Sequence, residues 1–418
     1  MENSVSKYIS SRTVEYEIAN LKQLVFEVTD GCNLKCKYCG YGEFYDKCDD
    51  RNNQFFPLKK AFIMLDYLKE FWGSGKNRSY SQKIDIAFYG GEPLLNIDFI
   101  KQVVNYVERL EVPSKSFTFS MTTNGVLLGK YIDYLIDKDF HLLISLDGNE
   151  QSNSYRVDYS GNNSFKRVFN NIRKVQQENP DFFDSNINFN AVLHNRNTVD
   201  ETYQFIKKEF GKIPRIAELN KVGIHKDKKE TFWETYRNKY ESLHQSPNYE
   251  IIQEDMFYNA PDTQRLGLFL HQYSGNVYRN HKDLLMGTTH QKQYPTGTCL
   301  PFSRKLFITV NGKILPCERI GHQFGLGKVT NNSVILDFEK IAEKYNIWFN
   351  KLAQQCNKCY NLIGCVQCIF DLDNTEGNPR CSSFMDKNAF EQYTNAQMEY
   401  LAKYPHLYEK IMNELILR

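Results

Sequence analysis

The segment Cys32-Asn-Leu-Lys-Cys36-Lys-Tyr-Cys39 comes shortly after the apolar run Leu24–Thr29 (LVFEVT). The run has the composition of a buried β-strand, and the segment after it places three cysteines close together. In a parallel α/β fold, the loops at the carboxyl ends of the strands form the active site. The first predicted strand therefore carries three candidate metal ligands into a candidate active site.

Further runs with strand composition alternate with helical patterns through the first half of the chain. Strands are predicted at Ile84–Tyr89, Ser116–Met121, Leu142–Leu146 and Ile187–Leu193, with a sixth near Lys212–Lys221. Helical spacing lies between them, at residues 57–72, 97–110, 128–138, 164–178 and 197–209. Such alternation predicts parallel βαβ units with right-handed crossovers. The predicted fold class is α/β, a partial, TIM-like (β/α)6 barrel rather than a complete eight-unit barrel.

The alternation stops near Val222, and the last third of the chain is rich in cysteine. There, Asn311–Gly312 between two short β runs predicts a hairpin. We expect five parts in chain order: an N-terminal extension at 1–20, the partial barrel at 21–221, a bridging helical insertion at 222–293, a small cysteine-rich α+β domain at 294–384 and a helical tail at 385–418.

Charge and hydropathy exclude two classes of partner. The 52 basic and 50 acidic residues leave a net charge of +2, which gives no bulk attraction to nucleic acid. No run has the length of a signal peptide core or of a bilayer span. We expect a soluble, cytoplasmic protein without a nucleic-acid or membrane partner. Because thiols stay reduced in that compartment, the eleven cysteines are expected to be metal ligands or catalytic groups rather than disulfides.

Three more segments follow the cysteine loop in order, each at a predicted strand end: Gly90-Gly91-Glu92-Pro93, Thr122-Thr123-Asn124-Gly125 and Ser145-Leu146-Asp147-Gly148. Arg156 lies eleven residues after Ser145. Together with CxxxCxxC and the aromatic residue before its last cysteine, this series resembles the radical S-adenosylmethionine (SAM) superfamily over residues 21–215. The resemblance implies a radical SAM barrel and an oxidoreductase activity.

The resemblance also implies how the cofactor is held. Cys32, Cys36 and Cys39 would be the catalytic ligands of a 4Fe-4S cluster whose open iron binds SAM. Electron transfer into the sulfonium would then give a 5′-deoxyadenosyl radical, chemistry that the cofactor supplies and the protein positions. The implied SAM contacts are Tyr38, Gly90, Gly91, Glu92, Pro93, Thr123, Ser145, Asp147 and Arg156. Two alternatives stay open: Glu92 as a carboxylate at a helix N-terminus, and Arg156 as a solvated surface charge.

Seven cysteines in the last third form a second group. Their order resembles the SPASM domain of radical SAM enzymes that modify peptides and proteins. The resemblance implies two auxiliary 4Fe-4S clusters, and so three clusters in all. The outer cluster would be held by Cys356, Cys359, Cys365 and Cys381, and the inner cluster by Cys299, Cys317 and Cys368.

This group departs from the family pattern in two places. Two residues separate Cys365 from Cys368, where the family pattern usually has three. Lys305 stands where some members have a further cysteine. The fourth ligand of the inner cluster is therefore open. Structural zinc sites are the alternative for the array, and a zinc-binding interaction protein on an inactive barrel is the alternative for the whole chain. We expect Cys48 to be a reduced bystander and His322 a surface residue.

The family resemblance implies a maturase of ribosomally made peptides that abstracts hydrogen from a residue of a precursor peptide. A thioether cross-link is the first expectation and a carbon–carbon cross-link the second. Oxidation of Cys or Ser to formylglycine, as in anaerobic sulfatase maturation, is the alternative. The expected partners are the precursor peptide and an external electron donor such as flavodoxin or ferredoxin. Since only about twenty residues precede the first strand, we expect no fused N-terminal leader-binding domain. The leader would then be captured by the surface of the barrel and insertion, by the helical tail, or by a separate leader-binding protein. Asp147 and Glu318 are candidate bases, and the sequence singles out neither.

Overall fold

The computed structural model describes residues 6–46, 48–78, 83–273, 285–286, 294–372 and 379–414. The chain divides into two compact units. The larger unit consists of Ser11–Pro247 and Cys299–Ile341, and the smaller unit of Met1–Ser10, Asn248–Thr298 and Ala342–Arg418. Among the described residues, no helix combines the length and the apolar composition that a membrane span needs.

Six parallel strands form the centre of the larger unit. They are β1 Gln23–Thr29, β2 Lys83–Gly90, β3 Ser116–Thr123, β4 His141–Ser145, β5 Ile187–Leu193 and β6 Arg215–Glu218. Each strand pairs in parallel with the next one along the chain. β1 is buried along almost its whole length because parallel sheets are covered on both faces. The predicted strands and their parallel order are confirmed.

Helices connect these strands, as the periodicity predicts. The connecting helices are α2 Leu58–Trp72, α3 Ile97–Val107, α4 Leu128–Asp137, α5 Phe165–Glu178, α6 Pro180–Asn186 and α7 Val199–Phe210. Helix α1 Ser11–Ala19 precedes β1, and α8 Lys229–Thr235 and α9 Lys239–His244 follow β6. The ends of α7 show how local chemistry sets its bounds. Thr198 and Glu201 form a reciprocal capping box at its start, and Gly211 ends it with a left-handed φ of 68°.

The sheet continues beyond β1 on the side away from β2. Strand β7 Leu306–Ile308 pairs with β1 in parallel, and then β8 Lys313–Leu315, β9 Gly327–Val329 and β10 Val334–Leu336 add antiparallel strands. The β7–β8 hairpin turns at Gly312, whose φ of +85° favours glycine. The hairpin predicted at Asn311–Gly312 is confirmed. Because β1 pairs with β7 rather than β6, the six parallel strands form a partial barrel.

The smaller unit is helical. Its helices are α10 Tyr249–Asp255, α11 Pro261–Tyr273, the part of α12 (Phe338–Cys356) from Ala342 onward, α13 Lys387–Lys403 and α14 His406–Glu414. Phe257, Leu266, Leu407 and Ile411 form a buried apolar cluster within it. The Asn346 side chain on α12 holds the N-terminal segment by accepting hydrogen bonds from the backbone N–H groups of Tyr8 and Ile9.

Candidate active site

The loop Cys32–Cys39 leaves the carboxyl end of β1 and is held by the segment that follows β4. Its Lys35 N–H donates to Val157 O at 2.7 Å, and its Lys37 N–H donates to Tyr155 O at 3.2 Å. All three cysteines of the loop are half-buried free thiols. Backbone hydrogen bonds to a second loop, which is far away in the sequence, therefore hold the cysteine loop in shape.

The three thiols lie close enough to act on one another electrostatically. Burial raises the pKa of Cys36 to about 12; the Arg156 guanidinium opposes this rise, and Cys39 and Cys32 add to it. Burial likewise raises the pKa of Cys32 to about 11. Free thiols with such pKa values stay protonated near neutral pH, whereas a metal centre binds the thiolate and displaces the proton.

Gly90 and Gly91 allow the end of β2 to pass against the chain just before Cys32. A Cβ on Gly91 would lie 1.9 Å from Gly31 O, and one on Gly90, whose φ is +137°, would lie 2.3 Å from Thr29 O. The Gly91 N–H donates to Thr29 O at 2.9 Å. These two positions need glycine, because any side chain would push the first cysteine of the loop away from β2.

Glu92 is fully buried and joins the ends of β2 and β3. Its Oε1 accepts from Leu94 N at 3.1 Å and Thr123 Oγ1 at 2.8 Å, and its Oε2 accepts from Asn124 N at 2.7 Å. Burial raises the pKa of Glu92 to about 7 despite these hydrogen bonds. The bond to Leu94 caps the short 3-10 helix Pro93–Asn96, which agrees with the alternative interpretation of Glu92 as an N-terminal carboxylate. The carboxylate is occupied by protein donors, so a SAM contact of this segment would come from its backbone.

Asn124 belongs to this site but was missing from the predicted SAM contacts. Its Nδ2 donates to Asn33 Oδ1 at 2.7 Å and lies 3.7 Å from Cys32 Sγ. Its Oδ1 accepts from Val126 N at 3.0 Å, which fixes the orientation of the amide. Hydrogen bonds to ligand sulfurs tune iron–sulfur clusters. The available signal was its place in Thr-Thr-Asn-Gly at the end of β3.

Asp147 and Arg156 form a buried, bidentate ion pair. Arg156 Nη2 donates to Asp147 Oδ1 at 2.9 Å, and Arg156 Nε donates to Oδ2 at 3.0 Å. Burial alone would raise the pKa of Asp147, but Arg156 and His194 hold it at about 2. With so low a pKa and both oxygens already accepting hydrogen bonds, Asp147 is a poor proton acceptor, which argues against its role as a base. Arg156 is only 7% exposed, so its interpretation as a solvated surface charge is wrong.

Two aromatic side chains complete this network. The Tyr38 hydroxyl donates to Asp147 Oδ2, and the Tyr38 ring stacks on His194 with centroids 5.4 Å apart. His194 is fully buried; its Nδ1 accepts from Arg196 N at 3.1 Å, and its Nε2 lies 3.6 Å from Asp147 Oδ2. Tyr38 thus anchors the cysteine loop to a buried charge pair. No spacing rule singled out His194, whose signal was its place directly after β5.

The remaining predicted SAM contacts lie at the same edge of the sheet. Thr123 is the last residue of β3, and Ser145 is the last residue of β4, opposite Asn190 of β5. Pro93 is buried and begins the short helix after β2. The structure therefore brings the predicted contacts of β2, β3 and β4 to the edge that carries the cysteine loop.

The four cysteines assigned to the outer cluster come together within the smaller unit. Burial raises the pKa of Cys356 to about 11, and Cys365, Cys381 and Cys359 each add to the rise. The Cys359 N–H donates to Cys356 O at 3.1 Å, and the Cys381 N–H donates to Gln355 Oε1 at 3.1 Å. These contacts join three separate turns of the chain around one set of thiols.

The three cysteines assigned to the inner cluster are divided between the units. Cys299 and Cys317 belong to the larger unit and Cys368 to the smaller. Cys317 follows β8, and burial raises its pKa to about 12. Lys305, at the position of the missing cysteine, instead pairs with Glu318 at 3.0 Å.

His322 is buried, and the prediction that it lies at the surface is wrong. Its Nδ1 accepts from Asp49 N at 3.0 Å, and the Asp49 carboxylate in turn accepts from Lys313 Nζ at 2.8 Å. The imidazole packs inward because the turn after β8 folds back onto the segment that follows Cys48. The sequence could not show this, since His322 lies 273 positions after Asp49.

The residues of the cysteine loop fit an iron–sulfur cluster. Within the described ranges, no group of three or more His, Cys, Asp or Glu side chains is arranged around a single metal ion. A cluster distributes its ligands over several irons, and three thiols without carboxylate or imidazole between them are the donors that it uses. Two further observations support the fit: the backbone of Gly91 lies close against Gly31, just before Cys32, and the Asn124 amide lies beside the Cys32 sulfur.

Residues 26–208 match the radical SAM superfamily model. The cysteine-type anaerobic sulfatase-maturating enzyme of Clostridium novyi is 29% identical over 46% of this chain, and the chain spans only 49% of that enzyme's length. The radical SAM cyclopropyl synthase TigE of Paramaledivibacter caminithermalis is 24% identical over 89% of this chain and 72% of its own length.

A solved structure shares the fold. The structure of anSMEcpe with bound AdoMet and the Cp18Cys peptide superposes with a TM-score of 0.60 at 20% identity, over 94% of this chain and 99% of that one. The family match includes the cysteine loop and the strand ends that carry the predicted site. Residues 26–208 therefore match the radical SAM superfamily, and the chain shares the α/β fold of anSMEcpe.

Proposed function

We propose that this chain is a radical SAM enzyme that modifies a ribosomally made peptide. The observation that carries the proposal is the loop Cys32–Cys39, held against Gly91 on one side and tied to the Asp147–Arg156 pair through Tyr38 on the other. When bound, a 4Fe-4S cluster and SAM supply a 5′-deoxyadenosyl radical that can abstract hydrogen from carbon. The chain's own residues supply the geometry for that chemistry.

The proposed roles follow from the contacts. Cys32, Cys36 and Cys39 would hold the cluster, and the Asn124 amide would donate to the Cys32 sulfur. The backbone of Gly90 and Gly91 would face the SAM amino group, with Ser145 at the ribose. Asp147, Arg156 and His194 would hold Tyr38, and with it the loop, in one conformation. Because this network is buried, it also excludes water from one side of the cluster.

One relative and the solved structure support a peptide substrate. The C. novyi relative is named as a sulfatase-maturating enzyme, and anSMEcpe has been solved with a bound peptide. The cysteines at 356, 359, 365 and 381, which act on one another within the smaller unit, support an auxiliary cluster there. A second auxiliary cluster at 299, 317 and 368 is proposed from the sequence resemblance alone. Such clusters can accept an electron.

We propose that the product is an intramolecular cross-link. The relative that aligns over most of this chain is a cyclopropyl synthase, which favours carbon–carbon bond formation over the thioether expected first from the sequence. The closure removes two hydrogens from the peptide. One leaves as a hydrogen atom that converts the adenosyl radical into 5′-deoxyadenosine. The other leaves as a proton, and its electron passes to an acceptor.

The identity of the sulfatase-maturating relative supports a second candidate, oxidation of Cys or Ser to formylglycine. A cross-link keeps every heavy atom of the peptide and loses two hydrogens, whereas formylglycine made from cysteine exchanges sulfur for oxygen. High-resolution mass spectrometry therefore separates these two products. Formylglycine made from serine also loses only two hydrogens, so an aldehyde-specific hydrazide label is needed to separate that product from a cross-link.

The proposal includes a cytoplasmic setting, an external electron donor such as flavodoxin or ferredoxin, and a separate leader-binding protein. All eleven cysteines are free thiols, as a reducing compartment maintains them. The donor is needed because each SAM cleavage consumes one electron from outside the peptide. Mixing the reconstituted chain with reduced flavodoxin should yield deoxyadenosine without a chemical reductant.

The first experiment measures iron, labile sulfide and zinc per chain after anaerobic purification. About twelve irons, the content of three four-iron clusters, would support the full proposal. The same sample is then incubated with SAM, a reductant and peptides encoded by short reading frames next to its gene. Deoxyadenosine together with a cross-linked peptide is the expected result. A chain that binds only zinc and leaves SAM intact would overturn the proposal in favour of an interaction protein.

A further inference from the structure

A cavity of about 170 Å³ lies within the smaller unit, and none of its lining residues is a cysteine. Its walls come from α10, from the turn that follows α10, and from the two tail helices α13 and α14. Aromatic rings form much of the lining: Tyr249, Phe257, Tyr400 and Tyr404. The volume is below the range of about 300–1,000 Å³ of cofactor and drug sites, so it suits one amino-acid side chain.

Gln253 gives this cavity an unmet hydrogen-bonding requirement. The residue lines the cavity and is only 6% exposed. Its Nε2 donates to Tyr400 Oη at 3.1 Å and to Thr263 Oγ1 at 3.2 Å, which fixes the amide. Its Oε1 is buried and has no hydrogen-bond partner among the described residues. A buried acceptor without a donor costs free energy, so the site favours a ligand that donates hydrogen bonds.

The charges and rings around the cavity favour a cation. Lys410 Nζ already lies 4.4 Å from the centroid of the Phe257 ring, so one aromatic face of the wall holds an ammonium group. Lys410 also pairs with Glu254 at 3.7 Å. The second carboxylate, Glu250, accepts from Tyr404 Oη at 3.4 Å and forms no ion pair within 4 Å in the part of the chain that the structure describes, although Lys403 interacts with it at longer range. Aromatic faces beside a carboxylate that no cation contacts directly attract ammonium and guanidinium groups.

We propose that this cavity binds the cationic side chain of a lysine or arginine in the peptide substrate. The ammonium or guanidinium group would donate to Glu250 and to Gln253 Oε1, while Tyr404 contacts its apolar stem. That the occupant belongs to a peptide rests on the proposed function, whereas the preference for a cation rests on the lining alone. The cavity would thus recognise a basic residue of the precursor apart from the residue that is modified.

The test uses two small probes on the reconstituted full chain. N-acetyl-lysine methylamide is compared with N-acetyl-norleucine methylamide, which lacks the ammonium group, by saturation-transfer NMR. The lysine probe should bind about threefold to thirtyfold more tightly than the norleucine probe. Glu250→Gln should remove that preference, because glutamine still accepts from Tyr404 but carries no charge. Glu409→Gln, an exposed carboxylate of α14 outside the cavity, should leave it unchanged.

Three results would overturn the proposal: equal binding of the two probes, an undiminished preference in Glu250→Gln, or the same loss in Glu409→Gln. Gln253→Leu gives a second measurement and should weaken the lysine probe more than the norleucine probe. The probes require neither SAM cleavage nor a precursor peptide. A chain that prefers lysine but never forms deoxyadenosine would therefore overturn the proposed function and leave this site standing.

Discussion

The cysteine loop after β1 and the cysteine group of the smaller unit reach their arrangement in different ways. The loop Cys32–Cys39 is one short segment, supported by buried groups from four other strand ends, including a carboxylate with a raised pKa (Glu92) and a permanent ion pair (Asp147–Arg156). The four outer thiols come from segments that lie apart in the sequence, and hydrogen bonds of Gln355, Tyr360 and Met385 link two of these segments. We expect that the sheet shapes the first site before any metal binds, whereas metal binding contributes more to the shape of the second.

The largest expected effect separates the two sites by activity. Cys36→Ala should abolish deoxyadenosine formation, because the cluster at the SAM site loses one of its three ligands. Cys365→Ala should lower the yield of modified peptide yet keep SAM cleavage measurable. Chromatographic quantification of deoxyadenosine checks both, with Cys48→Ala as the matched control. Equal loss in Cys36→Ala and Cys365→Ala would erase the functional difference between the sites.

Removing one partner of the buried ion pair should destabilise the larger unit. Asp147→Asn leaves the Arg156 charge buried without its counter-ion, a change that costs about 3–5 kcal/mol. Chemical denaturation followed by circular dichroism measures the loss. Asp158→Asn, which breaks the surface pair with Arg167, is the control and should change little. If both variants lost the same small amount of unfolding free energy, the cysteine loop would not depend on the buried ion pair.

Glu92 should make the larger unit less stable as pH rises. Its pKa is about 7 in the folded chain against an ordinary value of 4.5. Folding therefore favours the protonated form, and stability is lost between pH 4.5 and 7, by about 3 kcal/mol. Glu92→Gln should flatten this part of the pH profile, as measured by urea unfolding at several pH values. A slope unchanged by the substitution would assign the dependence to other groups.

The smallest expected effect concerns the chain without iron. Anaerobic chelation should speed backbone amide exchange around Cys356 and Cys359 more than around Cys32 and Cys36, because folding and metal binding are coupled where the protein supplies few supports. Hydrogen-exchange mass spectrometry compares the peptides of the two regions. Equal protection of both regions in the iron-free chain would contradict a site shaped by metal.

Sequence reasoning predicted the parts of the site that depend on order along the chain. The strand pattern and the short segments at strand ends, such as Gly90–Pro93, follow local rules of periodicity and turn chemistry. The contacts between distant parts of the chain do not follow such local rules and were not predicted. His194 and Asn124 reach the site only because β5 and β3 end at the same edge of the sheet as β1, and His322 is buried only because Asp49 folds over it. Those pairings depend on tertiary packing, which no spacing within one segment records.

The parallel pairing of β1 with β7 has a consequence for synthesis on the ribosome. Leu24 of β1 pairs with Leu306 of β7, so one edge of the first strand has no neighbour until about three-quarters of the chain has been translated. An unpaired apolar edge of this kind invites association between nascent chains. Expression at low temperature, or with a chaperone that covers exposed strands, should therefore raise the yield of intact protein, and fragments that stop before residue 299 should precipitate.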